Sequence, residues 1–532
     1  MEPSYFSPVK IVISSVIFLT GLAAQGQTII TNFAGLNYND IYSLGFPGTP
    51  PDTMGAAGTN QFVEFINGGF AIYSKAGVQQ SSLSDRNFWA NAGIAPTALT
   101  NGLFDPRIQY DASCGRFFAT ELTGENTGNH ILLARSDSSN PSGTWHAVSF
   151  TASAGAFADF DTLGVDSQAI YMAVNIFTDG SQNGFFNNAV SLFSVPKSDI
   201  IAPTPTIANL TSFANLDANT YGFALQGVNN PDTGSGHGVI MAIDNTLLNQ
   251  FECTTVNGSG AAGATLSSPT VIHTAYDGYP SPATQPGGNT LDSGDDRFSG
   301  AVRQIGGYIF IANCISNTVS PGIKNAVHWM VVNETNNTVT SEGLISDPNY
   351  DFIYPSIAAN HSGNVLLGFN RIGNTAPAGD TSTCAALGTM VNGLVTMGAP
   401  FVLQPGTVAN YSISFDSAPY RWGDYSATMF DPTDENLVWT IQEIPVAANV
   451  WGTEISLISL ASNRPTLNIS YNGGTVAIAW PLSSDPAYIL QSNTNLAATA
   501  WNSVRVAPQV IINQRVVTVP VTNSALYFRL KK

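Results

Sequence analysis

Charged side chains are scarce in this chain. Asp, Glu, Lys and Arg together make up 10% of its 532 residues, whereas soluble domains carry about 25%. Exposed helices normally present pairs of Glu and Lys to solvent, so the composition predicts few long helices. Hydrophobic residues make up an ordinary 44%, and Gly (49 residues) and Pro (30 residues) are plentiful. These values favour an all-β protein with an uncharged polar surface.

Basic residues are the rarest of the charged ones. The 18 Lys and Arg residues stand against 36 Asp and Glu residues, which gives a formal net charge of −18. A protein that binds nucleic acid needs a cluster of basic residues on its surface. The composition therefore predicts no nucleic-acid partner.

Long apolar runs are also missing after the first 26 residues. Residues 1–26 contain Lys10, an apolar run over 11–24 and small residues suited to cleavage by a signal peptidase. The run is shorter than the ~20 residues that a membrane-spanning helix needs. We therefore expect residues 1–26 to be a secretory signal. The mature chain is then expected at the cell surface or secreted, without a transmembrane segment.

Cysteine is limited to four residues. They are widely spaced and show no CxxC motif, which argues against a structural zinc site: Cys114, Cys253, Cys314 and Cys384. In an oxidising compartment they allow up to two disulfides, and free buried thiols are the alternative.

A degenerate repeat runs through most of the chain. Each copy has a polar or acidic start, a short strand, a turn and a run of β-branched and aromatic residues. The six copies begin at Asp52, Asp105, Asp161, Asp296, Tyr354 and Asp424, and these starts are 53, 56, 135, 58 and 70 residues apart. The widest gap is about twice the others, so a seventh copy is expected near residues 223–243. A repeat of ~60 residues with several strands is typical of a β-propeller blade.

The repeat predicts a β-propeller of seven blades over residues 27–462, with stacked β-sandwiches as the alternative fold. From residue 465 the pattern changes to short alternating strands that continue to residue 532. A segment of this size and pattern is typical of a small Ig-like β-sandwich. The sequence therefore predicts an all-β chain of two domains.

Several segments resemble a known group of proteins. PDTMG at 51–55, DPR at 105–107 and RWGDYS at 421–426 resemble exported bacterial propeller proteins of sialidase-like architecture. The tail resembles a C-terminal β-sandwich found on many secreted bacterial proteins. Residues 138–145 resemble a degenerate Asp-box, which in sialidases is a turn remote from the active site. The resemblance implies the fold and export, and it implies no particular reaction.

If the repeat starts are innermost strands, their polar residues converge on the propeller axis. Carboxylates there can act as acid, base or nucleophile in glycoside cleavage, and the candidates for catalysis are Asp424, Asp105 and Asp161. Arginines can hold a carboxylate or sulfate, and aromatic rings can stack on a sugar. The candidates for substrate binding are Arg421, Trp422, Tyr425, Arg107, Arg297, Tyr354 and Asp52. The alternative is structural, because Asp at a strand start often caps a turn and Arg can neutralise it.

A possible calcium site is the only cofactor site that the sequence indicates. Asp292, Asp295 and Asp296 form an oxygen-rich loop, the ligand type that Ca²⁺ prefers, although Arg297 can satisfy the same charge. Asp159, Asp161 and Asp166 form a second, weaker cluster.

Three functions remain open from the sequence. The first is a secreted carbohydrate-active enzyme, either a glycoside hydrolase or a polysaccharide lyase. The second is a non-catalytic propeller that binds glycans or proteins at the cell surface. The third is a metal-dependent hydrolase of another bond. In the first two, the expected partner is an extracellular polysaccharide or glycan and the expected state is a monomer.

Overall fold

Strands dominate the computed structural model of this chain. The structure describes residues 27–45, 48–181, 184–234, 236–316, 324–413, 416–460, 467–472, 474–481, 488–495, 500–511, 514–520 and 526–531. The predicted signal, residues 1–26, lies outside them. The chain divides into a unit of residues 27–461 and a second unit that contains residues 462–532. Among the described residues, no helix is long and apolar enough to cross a membrane.

The first half of the larger unit contains β1, four short helical segments and three sheets. The first elements are β1 (Thr28–Asn37) and α1 (Tyr38–Ser43). Sheet 1 contains β2 (Gly55–Ala57), β3 (Gln61–Ile66), β4 (Gly69–Ser74) and β5 (Gln79–Leu83). Helix α2 (Asp85–Asn91) and a 3-10 turn (Pro96–Leu99) precede sheet 2, which contains β6 (Leu103–Asp111), β7 (Arg116–Thr123), β8 (His130–Ser136) and β9 (Trp145–Thr151). Sheet 3 contains β10 (Phe157–Val165), β11 (Ala169–Phe177), β12 (Phe186–Pro196) and, after α3 (Lys197–Ile201), β13 (Thr211–Asp217).

Four further sheets complete this unit. After α4 (Ala218–Tyr221), sheet 4 contains β14 (Phe223–Gly227), β15 (His237–Ile243), β16 (Gln250–Asn257), β17 (Thr265–Leu266) and β18 (Thr270–His273). A two-stranded ribbon of β19 (Ala283–Thr284) and β20 (Thr290–Leu291) precedes sheet 5, which contains β21 (Arg303–Ile305), β22 (Tyr308–Ser316), β23 (Asn325–Asn333) and β24 (Thr338–Ile345). Sheet 6 contains β25 (Tyr350–Ala359), β26 (Asn364–Gly373), β27 (Ser382–Val391), β28 (Leu394–Met397) and β29 (Phe401–Gln404). Sheet 7 contains β30 (Ala427–Asp431), β31 (Asp434–Ala447), β32 (Val450–Ser459) and the N-terminal strand β1.

The sheets follow one another around a closed ring. Strands β2, β6, β10 and β14 contact in succession, β25 contacts β22 and β30, and β30 contacts β2. Asn229 after β14 and Arg303 of β21 form the bridge between sheets 4 and 5. Strand β1 pairs with β32 as the outer strand of sheet 7, with Phe33 opposite Ile455. This arrangement is a β-propeller, in which both ends of the chain's larger unit are tied into one sheet.

Local chemistry explains the strands and their turns. Asn392 and Gly393 join β27 to β28 with φ values of 52° and 79°, as a tight hairpin turn requires. Apolar side chains alternate onto the faces between sheets, so that Phe118 of sheet 2 and Met172 of sheet 3 share one buried cluster. The innermost strands approach closely because they carry small residues. A Cβ on Gly164 of β10 would collide with the main chain of β14.

The second unit contains two small sheets in its described residues. One is formed by β33 (Asn468–Asn472), β34 (Thr475–Pro481), β38 (Gln514–Pro520) and β37 (Gln509–Ile511), and the other by β36 (Asn502–Ser503), β35 (Ile489–Asn493) and β39 (Tyr527–Lys531). Trp480 and Val517 of the first sheet share a buried cluster with Leu490 of the second. The two sheets therefore enclose one core.

Candidate functional site

A β-bulge recurs in four innermost strands of the propeller. The pairing register shifts after Phe104 in β6, after Asp159 in β10, after Phe223 in β14 and after Ile353 in β25. The first residue of each bulge has a positive φ, between 48° and 61°: Asp105, Phe160, Ala224 and Tyr354. Bulges redirect side chains and are frequent beside functional sites. Here they lie near the end of the ring at which the innermost strands begin, and two of the four place polar side chains there, those of Asp105 and Tyr354.

A polar cavity of about 220 Å³ lies at this end of the ring. We call it the front cavity. Its walls come from the loop before β21, from β25 and from the loop before β30, and the residues used below are Gly294, Asp295, Arg297, Tyr354, Arg421 and Asp424. The structure thus brings together four of the predicted catalytic and substrate-binding residues, Arg297, Tyr354, Arg421 and Asp424, and one predicted calcium ligand, Asp295.

The two loops of the cavity are held side by side by backbone hydrogen bonds. The amide of Asp292 donates to the carbonyl of Tyr420 at 2.8 Å, and the amide of Tyr420 donates to Thr290 at 2.9 Å. Deeper down, the amide and carbonyl of Tyr411 bond to the side chain of Gln285. Segments more than 120 residues apart therefore meet across the cavity.

Arg421 links these loops through two carboxylates. Its Nη2 donates to Asp424 Oδ2 at 3.0 Å and its Nη1 to Asp292 Oδ2 at 3.3 Å. The arginine side chain remains 44% exposed. Asp424 and Asp292 are partly exposed, so this group of charges faces the cavity.

Arg297 forms the second charge pair of the cavity. Its Nε and Nη2 bind both oxygens of Asp295, at 2.6 and 2.5 Å. The guanidinium also lies over the rings of Phe160 and Phe223, at 4.2 and 5.0 Å. Both arginines of the cavity are thus already bound to carboxylates of the protein.

Asp52 and Asp105 lie beneath Asp424 in a hydrogen-bonded chain. The amide of Asp424 donates to Asp52 Oδ1 at 2.8 Å, and Asn67 Nδ2 donates to Asp52 Oδ2 at 2.7 Å. The amide of Asp105 donates back to Asn67 Oδ1 at 3.0 Å, and Asp105 Oδ2 accepts from the amide of Phe160. Burial, and then the charge of Asp424, raise the pKa of Asp52 and of Asp105. Both carboxyl groups therefore favour the protonated state more than exposed carboxyl groups do.

Arg107 and Asp161 lie in the core behind this chain. Arg107 is buried, its Nε donates to the carbonyl of Asp161 at 2.8 Å, and its guanidinium is 3.4 Å from the ring centroid of Tyr425. Asp161 is 0% exposed and accepts from the hydroxyl of Thr120 at 2.6 Å. Burial raises the pKa of Asp161 to about 8, although Arg107 opposes the shift. The two residues do not reach the cavity surface.

The bulge register accounts for the position of Asp161. The residue of β10 equivalent to Asp105 and Tyr354 is Phe160, one position earlier than the repeat predicts. Because a shift of one residue turns a side chain to the opposite face of a strand, Asp161 lies in the core. The prediction that Asp161 is exposed to substrate is therefore wrong for this structure.

The prediction that Trp422 and Tyr425 stack on a sugar is also corrected by the structure. Trp422 is 0% exposed, and its Nε1 donates to Asn370 Oδ1 at 3.2 Å. Tyr425 is 1% exposed because Arg107 covers its ring. Both rings belong to the propeller core. The sequence shows that both residues have large aromatic side chains, but their burial depends on neighbours that are distant in the chain.

The glycine of the RWGDYS segment has a steric role. A Cβ on Gly423 would collide with the ring of Tyr354, and the φ of Gly423 is 87°. The amide of Gly423 donates to Glu443 Oε2 at 2.8 Å, and Glu443 is a buried group that the sequence did not single out. Tyr354 is buried against the cavity with its hydroxyl unpartnered among the described residues. Gly423 thus lets this ring form the cavity wall.

Asp159 is a residue next to the charges of the front cavity that the repeat pattern missed as a catalytic candidate; it does not line the cavity itself. It is half-buried at the bulge of β10, and burial together with the charge of Asp105 raises its pKa to about 7. Arg297 and Asp424 are close enough to influence the same pKa. The signal available in the sequence was its position beside the repeat start.

The predicted calcium site does not form. Asp295 is bound by Arg297 and Asp292 is bound by Arg421, whereas Asp296 is buried. In the second cluster, Asp166 caps the amides of Gln168 and Ala169 instead of joining Asp159. In the part of the chain that the structure describes, no three His, Cys, Asp or Glu residues are placed to share a metal ion. Arg297 supplies the positive charge that the prediction gave to calcium.

The four cysteines are free thiols in the structure. The structure therefore has the free-thiol alternative, with no disulfide among the four cysteines. Burial raises the pKa of Cys314, which lines the front cavity, above its ordinary value. Cys314 is for that reason a poor nucleophile at neutral pH.

The front cavity and the carboxyl group of Asp159 next to its charges can supply acid and base chemistry. Asp424 offers a carboxylate that an arginine holds in position, and Asp159 offers a carboxyl group that titrates near neutral pH. Two carboxyl groups with different environments are the usual means of combining an acid with a base or nucleophile. Tyr354 adds a hydroxyl donor to the same wall.

Comparisons with known proteins assign no family. No family model matches this chain, and no curated protein matches its sequence. Similar solved structures include a Trypanosoma rangeli sialidase in complex with 2,3-difluorosialic acid, at 10% identity over 80% of this chain and 83% of that one, with a TM-score of 0.33. An exo-1,5-α-L-arabinanase from a bovine ruminal metagenomic library has 11% identity over 67% and 97% of the two chains, with a TM-score of 0.31. An exo-β-1,3-galactanase from Phanerochaete chrysosporium has 11% identity over 82% and 97%, with a TM-score of 0.30. Values this low assign no activity to the present chain.

Proposed function

We propose that this protein binds a carbohydrate in the front cavity and hydrolyses a glycosidic bond there. The observation that carries the proposal is a set of two carboxyl groups in different environments: Asp424, a partly exposed carboxylate of the cavity wall held by Arg421, and Asp159, of pKa about 7, whose charge interacts with those of Arg297 and Asp424. A glycoside hydrolase needs one carboxylic acid and one carboxylate on either side of the bond.

The proposed roles follow from these environments. Asp159 donates its proton to the leaving glycosidic oxygen as the bond to the anomeric carbon breaks. Asp424 accepts a proton from the water that attacks this carbon. Arg421 keeps Asp424 oriented, and Asp52 receives a hydrogen bond from the Asp424 amide that fixes the backbone.

The charge pairs of the cavity favour a neutral sugar as substrate. Arg297 and Arg421 are each engaged by carboxylates of the protein. They can therefore hold a substrate carboxylate or sulfate only by giving up an internal partner. Sugar hydroxyl groups instead match the remaining donors and acceptors. This revises the expectation that these arginines bind an acidic glycan.

The test compares the wild-type protein with Asp424→Asn and Asp159→Asn on a panel of neutral and acidic polysaccharides. In Asp424→Asn the amide oxygen of the new side chain can still accept the hydrogen bond of Arg421, so the fold is retained while the charge is lost. We expect each variant to lower turnover at least ~100-fold with an unchanged melting temperature. Asp434→Asn, at an exposed carboxylate in the β30–β31 turn, is the matched control. Turnover by both variants at the wild-type rate contradicts the proposed roles.

The second candidate function is non-catalytic glycan binding. It is favoured by Asp105 and Asp161, predicted catalytic residues that the structure buries in protein hydrogen bonds. Release of no reducing ends from any polysaccharide, with retained binding to one of them, supports this candidate. Release of reducing ends by the wild type, but not by Asp424→Asn or Asp159→Asn, supports hydrolysis.

We further propose that the seven sheets of residues 27–461 are seven propeller blades and that residues 465–532 form an Ig-like β-sandwich. The closed ring and the two sheets around Trp480 support these assignments. We also propose that the chain is exported as a monomer and that its partner is an extracellular glycan. Mass spectrometry of the secreted protein tests the cleavage after residue 26, and light scattering tests the oligomeric state.

A further inference from the structure

A second cavity lies at the other end of the ring, where the innermost strands finish. We call it the rear cavity. Its volume is about 240 Å³. The wall residues used below are Gln109, Val165, Arg303, Ile305, His361 and Phe430. Nothing in the proposed function uses this cavity.

The carboxylates around the rear cavity already have cationic partners. Asp111 is bound by Lys197 at 2.8 Å, and Asp431 by Lys75 at 2.7 Å. Glu435 lies at the rim, 3.2 Å from His361 Nδ1. These carboxylates are therefore not free to serve a ligand's cation or the remaining arginine.

Arg303 is the exception among the charges of this cavity. Among the described residues, its Nε has no hydrogen-bond partner and no carboxylate lies within 4.0 Å of its guanidinium. Its Nη2 donates to the neutral Gln109 Oε1 at 3.3 Å. Burial lowers the pKa of Arg303 to about 10. A cation in this position lacks the counter-charge that buried ions normally have.

The backbone holds Arg303 firmly in place. Arg303 bridges to Asn229 at the junction of sheets 4 and 5, and the amide of Gln304 donates to the Asn229 carbonyl at 2.9 Å. Its side chain extends from sheet 5 to Gln109 of sheet 2, which lies three sheets away around the ring. The guanidinium therefore lies across the propeller channel at a defined position.

We propose that the rear cavity binds a small organic carboxylate through Arg303. A carboxylate can accept hydrogen bonds from the Nη groups in the two-bonded geometry that guanidinium groups favour, whereas the Nε is shielded from solvent. Val165, Ile305 and Phe430 offer apolar surface to the body of the ligand. Because Arg303 is a single cation near several carboxylates, the rear cavity suits a ligand with one negative charge better than it suits a phosphate dianion.

The first experiment measures the binding of benzoate, benzamide and glucuronate to the full wild-type protein by calorimetry. Benzoate and benzamide share a ring and differ in charge, and glucuronate carries the same charge on a polar body. We expect benzoate to bind at least ten-fold more tightly than either of the others. Equal binding of benzamide, tighter binding of glucuronate or no binding of benzoate overturns the proposal.

The second experiment assigns the binding to Arg303. Arg303→Gln keeps polarity without the charge, and Arg303→Lys keeps the charge without the fork of donors. We expect at least a ten-fold loss of benzoate affinity in Arg303→Gln and a smaller loss in Arg303→Lys. Arg86→Gln, at an exposed arginine of α2, is the control and is expected to bind as the wild type does. Unchanged benzoate affinity in Arg303→Gln overturns the proposal.

Discussion

The two cavities of the propeller channel differ in how their arginines are paired. At the front cavity each arginine is bound by carboxylates from the same or a facing loop, as in the pairs Arg297–Asp295 and Arg421–Asp424. At the rear cavity Arg303 has only the amide oxygen of Gln109 among the described residues. Carboxylates of the protein thus pair with the arginines of the front cavity, whereas the arginine of the rear cavity keeps an unpaired charge among the described residues. A complete ion pair fixes geometry, whereas an incomplete one favours an added anion.

The largest stability effect is expected at the front cavity. Arg297→Met removes both side-chain hydrogen bonds to Asp295 and leaves that carboxylate without its ion-pair partner, with only the bond from the main-chain amide of residue 297. We expect a loss of about 2–3 kcal/mol in the free energy of unfolding, measured by urea denaturation. Arg421→Met, at a more exposed arginine, is expected to cost about 1 kcal/mol or less. A loss for Arg297→Met no larger than that for Arg421→Met contradicts the comparison.

The next effect is a pH dependence that comes from the buried carboxyl groups behind the front cavity. The pKa of Asp161 is about 8, above its ordinary 3.8, because burial disfavours the charged form. Folding therefore favours protonated Asp161, so its stabilising contribution is complete below about pH 4 and is lost as the pH rises through 8. The melting temperature of the wild type is expected to fall between pH 5 and pH 9. In Asp161→Asn this fall is expected to be smaller by on the order of 1–3 °C. Parallel melting profiles of the two proteins contradict this expectation.

A smaller effect of opposite sign is expected at the rear cavity. Arg303→Met removes a half-buried charge that has no carboxylate partner among the described residues and adds apolar surface in the cavity that Val165 and Phe430 also line. Without ligand we expect the free energy of unfolding to stay unchanged or to rise by up to about 1 kcal/mol. Urea denaturation of Arg303→Met and of Arg297→Met under the same conditions compares their free energies of unfolding. A loss comparable to that of Arg297→Met shows that Arg303 has an internal role instead.

The smallest effect is expected at the rim of the rear cavity. His361 donates to Asp232 at 2.7 Å and contacts Glu435, and the hydrogen bond with Asp232 is the main cause that raises its pKa above 6.5. The stabilisation of the fold by this charge interaction is complete below about pH 6.5 and is lost as the pH rises through the folded-state pKa of His361. His361→Gln is expected to lower the melting temperature by about 1 °C at pH 5.5 and not at pH 9. An equal change at both pH values contradicts the charge interaction.

The repeat predicted the strands well because strand and turn signals are local. The inferred copy near residues 223–243 corresponds to β14 and β15, and the Asn392–Gly393 pair forms a hairpin turn. Local signals do not report bulges, which depend on pairing with the next strand. For that reason the pattern placed Asp161 where the structure has Phe160.

The candidate site was predictable only in part. The convergence of Tyr354, Arg421 and Asp424 follows from equivalent positions in successive sheets. The burial of Trp422 does not, because it depends on Asn370 and Tyr411 in other sheets and loops. Asp292 and Arg421 are 129 residues apart, and their pairing depends on two loops that bond to each other.

The sequence by itself determined the all-β character of the chain, the repeat of the propeller and the paucity of charge that makes each arginine noticeable. Composition, alternation and turn residues carry this information because each acts over a few residues. Only the tertiary structure decided which charges are paired, since Arg303 and Gln109 meet across 194 residues of chain. The pairing of the few charges therefore depends on the fold. Closure of the ring brings carboxylates to Arg297 and Arg421 at the front cavity and, among the described residues, none to Arg303 at the rear cavity.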